Sequence, residues 1–100
     1  MNISVDTLVS SIKRKTGTLS CVINGLYLFF SSDCFSATSS KQKITITDET
    51  NTIFPILYIS IDLNTINQIE FMLCHDNTLE YQITADEGET LITITVKEDC

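Results

Sequence analysis

Residues 68–96 read QIEFMLCHDNTLEYQITADEGETLITITV. Apolar and polar side chains alternate through most of this stretch. Ile69, Phe71 and Leu73 are interleaved with Glu70 and Met72, Leu79, Tyr81 and Ile83 with Glu80 and Gln82, and Ile92, Ile94 and Val96 with Thr93 and Thr95. A period of two belongs to strands with one face buried. The breaks, Asp76-Asn77-Thr78 and Asp86-Glu87-Gly88-Glu89, carry turn-forming residues. The spacing therefore predicts three antiparallel strands at 68–75, 79–84 and 90–96. The first loop pairs Leu73 with Tyr81 and Phe71 with Ile83. The second pairs Ile83 with Ile92 and Tyr81 with Ile94. A one-residue slip would turn Glu80 and Gln82 into the apolar layer, so the second register is well specified.

The same register sets the opposite face. It presents Glu70, Met72 and Cys74, then Glu80, Gln82 and Thr84, then Leu91, Thr93 and Thr95. Glu70 is placed opposite Thr84, near the acidic loop. The candidate partner-binding residues are Glu70, Glu80, Gln82, Thr84, Asp86, Glu87, Glu89 and Thr93. Thr and Glu are also ordinary choices for a solvated sheet face. A docking face for a cationic partner is the functional reading.

Upstream, Leu19 to Ile23 and Leu26 to Phe30 flank Asn24-Gly25. This is the strongest short hairpin signal, because a type I′ turn needs positive φ at both central residues. It pairs Ile23 with Leu26, Cys21 with Leu28 and Leu19 with Phe30. Residues 31–41 are Ser-rich and aperiodic, and they are predicted as a loop with Phe35 tucked inward. A strand at 42–47, a turn at 48–51, a strand at 56–62 opened by Pro55, and a turn or single helical turn at 62–67 complete the middle.

The helix signal lies at 4–15. Val5, Leu8, Val9 and Ile12 share one face, Ser4 is a cap, and Asp6 sits in the first turn. Lys13, Arg14 and Lys15 are expected in the last turn and Gly17 at the stop. The fold class is thus α+β: an N-terminal amphipathic helix on a curved, mostly antiparallel meander sheet of six or seven strands. The helix is expected to cover Phe71, Leu73, Tyr81, Ile83, Ile92 and Ile94. Residues 1–100 are read as a single domain.

The chain carries 6 Lys and Arg against 13 Asp and Glu, a net charge of −7. Residues 1–43 hold five cations and two anions, a balance of +3. Residues 44–100 hold one cation and eleven anions, a balance of −10. No Lys or Arg occurs from residue 44 to residue 96. Phosphate backbones reward cations, so direct nucleic-acid binding is not expected. The N-terminus lacks the continuous apolar core of a signal peptide. The longest strictly apolar run, 53–59, is far short of a membrane helix. A cytoplasmic protein of bacteria or their viruses is the expectation.

Chemistry-bearing patterns are sparse. Cys21, Cys34, Cys74 and Cys100 form no CxxC, so no zinc or redox motif is expected. Cys21 and Cys74 are read as buried thiols. His75 is the only histidine, and its neighbour Cys74 points to the other strand face, so no local dyad forms. The acids cluster in turns rather than in a pocket. The 86–89 loop lacks the alternating ligand spacing of an EF-hand. The Ile-Thr repeats at 44–47 and 92–95 share no flanks and no period, which argues against an ice-binding array. No catalytic residue, metal ligand or cofactor is assigned. In size, acidity and lack of motifs the chain resembles immunity proteins of bacterial toxins and phage-encoded inhibitors of host defence nucleases. That resemblance implies a non-enzymatic inhibitor that neutralises a basic protein partner, a toxin or nuclease. The alternative is a homo-oligomeric subunit using edge strands or the Thr-rich face.

Overall fold

Ser4 opens the helix. Its Oγ accepts the Thr7 N–H at 3.1 Å, and Asp6 occupies the first turn, where the helix dipole favours an anion. In the computed structural model α1 spans only Val5–Ser11. Lys13, Arg14 and Lys15 do not form its last turn; they begin strand β1, Lys13–Ile23. The reason lies in tertiary pairing. The Ala37 N–H donates to the Ile12 carbonyl at 2.8 Å, and the Arg14 N–H donates to Ser36 Oγ at 2.9 Å. Arg14 itself has φ 55°, which an α-helix does not contain. Gly17 is consequently a residue of β1 and not a helix stop.

The structure describes residues 2–50, 53–54, 56–75 and 77–97, with only the backbone of residues 73–75. The expectations for Pro55 and Asp76, and for the side chains of Leu73, Cys74 and His75, lie outside the described residues.

The Asn24-Gly25 turn forms as read. Both residues have positive φ, 49° and 80°, and Ile23, Cys21 and Leu19 face Leu26, Leu28 and Phe30. Strand β2 then runs on to Ser39, spanning Leu26–Ser39, so residues 31–39 of the expected loop are strand. A Ser-rich segment is held extended because both backbone edges are taken at its far end. β1 pairs on one side and β3, Lys43–Asp48, on the other. Phe35 is fully buried there. Strand β4 is Ile56–Asp62. A 3₁₀ turn, Leu63–Thr65, follows, with Asp62 Oδ1 accepting the Asn64 N–H at 2.9 Å. Strands β5, Ile66–His75, β6, Thr78–Ala85, and β7, Thr90–Lys97, end the chain.

All these strands form one antiparallel sheet in the order β4-β3-β2-β1-β7-β6-β5. Two meanders meet where the first strand pairs with the last. The edge strands β4 and β5 are consecutive in the chain. The β6–β7 register is as predicted, with Ile83 opposite Ile92 and Tyr81 opposite Ile94.

The β5–β6 register is not. Phe71 stands opposite Tyr81 and Ile69 opposite Ile83, two residues from the expected pairing. His75 pairs with Thr78 across a shorter loop, with an irregularity between Met72 and His75. Asn77 takes the left-handed conformation, φ 62°. The slip of two leaves Ile69 and Phe71 on their predicted face, so the alternation could not detect it. It brings the Phe71 and Tyr81 rings edge to face at 5.3 Å, a pairing worth about 1 kcal/mol.

The core draws on α1 and on all the strands. Leu8 of the helix, Ile12 at its C-cap, Leu19, Ile46, Ile83 and Ile94 are fully buried. Val5 and Val9 pack against this cluster in part. The helix therefore covers the apolar face by its Leu8–Ile12 side, with its nearest strand contact on β2.

Candidate functional site

The outer face of the sheet is built in ranks. Glu70, Gln82, Thr93 and Ser20 lie side by side on β5, β6, β7 and β1. Met72, Glu80, Thr95 and Thr18 form the next rank on one side, and Gln68, Thr84, Leu91 and Val22 the next on the other. Five of the sequence-predicted residues, Glu70, Glu80, Gln82, Thr84 and Thr93, thus share one face and are half-buried. Glu70 faces Gln82, not Thr84 as expected, because of the two-residue difference in register. That moves it one rank away from the acidic loop. Its Oε1 accepts a hydrogen bond from Gln68 Nε2, so the carboxylate is partly satisfied within the sheet.

Asp86, Glu87 and Glu89 sit apart from this face, at the end of the molecule. Ala85 pairs with Thr90, which leaves the four-residue loop that was expected. Asp86, Glu87 and Gly88 have φ values of 53°, 57° and 94°. Three left-handed residues in succession make the bend tight. Asp86 holds this bend, its Oδ2 accepting the buried Thr90 hydroxyl at 2.8 Å. Asp86 is therefore a structural residue as well as a surface charge. Glu87 and Glu89 are exposed.

The loop borders an open cleft of about 470 Å³, lined by Asn64, Thr65, Asn67, Asp86, Glu87 and Glu89. Its lining contains three carboxylates and no cation. The Asn24 N–H donates to the Glu89 carbonyl at 3.4 Å, which ties the β1–β2 turn to the same end. Sequence reading missed Asn64, Thr65 and Asn67. They look like bare turn residues, and only the pairing of Ile66 with Ala85 sets them beside the acids.

Elsewhere the polar groups have structural roles. Asp48 accepts the Thr50 N–H at 2.8 Å and the Tyr58 hydroxyl at 2.7 Å. The Thr50 hydroxyl and N–H, with Tyr58 behind them, hold its carboxyl down at about 2. Burial and the Asp48 charge push the Tyr58 phenol up to about 12. Arg14 Nη1 lies 3.3 Å from Glu49 Oε2, and that oxygen also accepts the Ser36 hydroxyl at 3.1 Å. Cys21 and Cys34 are buried free thiols, and burial pushes the Cys21 thiol up. Among the described residues no three His, Cys, Asp or Glu side chains come together as a metal site. None of their helices is long and apolar enough to cross a membrane.

The chain matches no known family model, no curated protein and no solved structure.

Proposed function

We propose that this protein is a non-enzymatic, cytoplasmic binding protein that docks a basic protein partner at its acidic end and neutralises it. The partner is a toxin or a nucleic-acid-acting defence enzyme, whose cationic cleft is meant for phosphates. One observation carries this reading: the cation-free cleft between Asn64, Asn67 and the exposed Glu87 and Glu89. Carboxylates fixed on a sheet end speed encounter with a cationic surface and set its register. The ranks of Glu70, Gln82 and Thr93 extend the contact along the sheet.

The sheet is read as curled, which gives the cleft its second wall. Flat strands about 4.8 Å apart would hold the outer two of seven roughly 29 Å from each other. Here the three residues Leu63–Thr65 join β4 to β5. A second cleft lined by Ile23, Ile61, Asp62, Asp86 and Thr90 supports the same curvature.

Affinity capture from the native host with wild-type and Glu87→Lys/Glu89→Lys baits tests the charge mechanism. A basic protein should be retained by the wild type at low salt, released at high salt, and lost with the double variant. Equal retention at low and high salt would overturn it. A second reading, a self-associating subunit, is favoured by the run of exposed apolar side chains at the start of β2.

A further inference from the structure

Residues 26–29 read Leu-Tyr-Leu-Phe, and all four are exposed, at 61, 61, 37 and 56 %. A strand alternates its faces, so one covered face should bury every second residue. Here neither face is covered. Runs of three or four exposed apolar residues are unusual unless they serve a contact. The cause is a mismatch of lengths. β2 has 14 residues and β3 has 6, and among the described residues their pairing begins only at Phe35. Tyr58 of β4 covers Phe30 by stacking at 4.6 Å. Cover from β4 thus reaches Phe30, while residues 26–29 keep these large exposures.

The surroundings select the occupant. Residues 16–32 contain no charged side chain, in a chain of net charge −7. Two copies meeting at the acidic loop would bring Asp86, Glu87 and Glu89 toward one another. Meeting along residues 26–29 they bring uncharged strand to uncharged strand. Tyr27 is flanked across the sheet by Val22 and then Leu91, each 36 % exposed. A buried aromatic contributes roughly 150–250 Å², so these six partly exposed side chains offer roughly 500 Å² of apolar surface per copy. Twice that is about the 1,000 Å² a specific interface needs.

We propose that two copies of this chain join by antiparallel pairing of residues 26–29 of β2 about a two-fold axis at Leu28. The proposal deepens the self-associating reading and rests on it. In a two-residue hairpin the pair beside the turn, here Ile23 and Leu26, is hydrogen-bonded. Tyr27 and Phe29 then direct their N–H and C=O away from β1. Pairing about Leu28 sets Tyr27 against Phe29 of the second copy, and the reverse. The aromatic rings meet on the outer face and the leucines on the inner one.

Sedimentation equilibrium of the full chain at micromolar concentration tests this. Wild type is expected at twice the monomer mass, with association unchanged or tightened by added salt. Tyr27→Lys/Phe29→Lys should weaken the dimer about 100-fold or more. Phe29→Leu keeps the backbone donor and an apolar side chain and should remain dimeric. Phe29→Pro removes the donor at an open edge and should be monomeric, with circular dichroism reporting its fold. A wild type that stays monomeric overturns both the pairing and the self-associating reading. A dimer that survives in the folded proline variant, or in the double lysine variant, overturns the pairing alone.

Discussion

Asp48 shows how much one residue holds. It closes the turn after β3 through the Thr50 N–H and fixes the Tyr58 hydroxyl at 2.7 Å. Tyr58 in turn stacks on Phe30 and meets the Phe35 edge at 5.4 Å. The two groups predict opposite pH limits. The Asp48 carboxyl titrates at about 2 in the fold, below the unfolded value of about 4. Its contribution to stability is whole above the unfolded value and is lost as pH falls toward 2. The Tyr58 phenol titrates at about 12, above its unfolded value of about 10. Its contribution is whole below the unfolded value and is lost as pH rises toward 12. Urea midpoints should therefore fall at both extremes. Asp48→Asn should flatten the acid arm and Tyr58→Phe the alkaline arm. A Tyr58→Phe chain with an unchanged alkaline arm would contradict the assignment. None of this was legible in the sequence, because Asp48 and Tyr58 are brought together by the β3–β4 register.

At the scale of elements, β1 is the most informative. Its basic start and its glycine read locally as a helix end, since cations and Gly both favour that place. Neighbouring strands reassigned them. At Gly17 the backbone lies against β7 so closely that a Cβ would run into the Thr95 carbonyl. Gly17→Ala should therefore cost about 3 kcal/mol through displaced ladder backbone. Gly25→Ala is the comparison. Gly25 has φ 80° and open space around it, so only the left-handed cost of about 1 kcal/mol applies. Thermal unfolding of the two variants should rank Gly17→Ala well below Gly25→Ala, and the reverse order would refute the close approach. The β1–β2 hairpin itself was legible, because Asn24-Gly25 sets a turn whose geometry is local. The far half of β2 was not, because Ser-rich sequence carries no periodicity and its extension depends on β3.

At the scale of the whole molecule, the order of strands has a kinetic consequence. β7 lies between β1 and β6, so the sheet is joined only by pairing the two ends of the chain. Non-local antiparallel pairing is slow, because loop closure must precede its contacts. Folding is expected on the millisecond-to-second scale, and stopped-flow refolding measures it. A relaxation in microseconds would imply that the two meanders are stable before they join. The same ordering separates the charges. The basic start of β1 pairs with β2 near Ser36 and the acidic loop borders the opposite turn. The charge imbalance of the sequence thus becomes an acidic end beside an uncharged hairpin.

By itself the sequence determined which side chains of the helix, β1, β6 and β7 face inward. Alternation, the Asn24-Gly25 turn and the Ser4 cap are local signals, and each acts within a few residues of itself. The inward positions of Leu8, Ile12, Leu19, Cys21, Tyr81, Ile83, Ile92, Ile94 and Val96 and the strand-rich α+β class follow from them. Only the tertiary structure decided the β5–β6 register, the strand at 31–39, the short helix and the place of Asn64 and Asn67 beside Glu87. The physical reason is the same in each case. A slip of two keeps every residue on its face, and a backbone group accepts whichever partner the distant chain supplies.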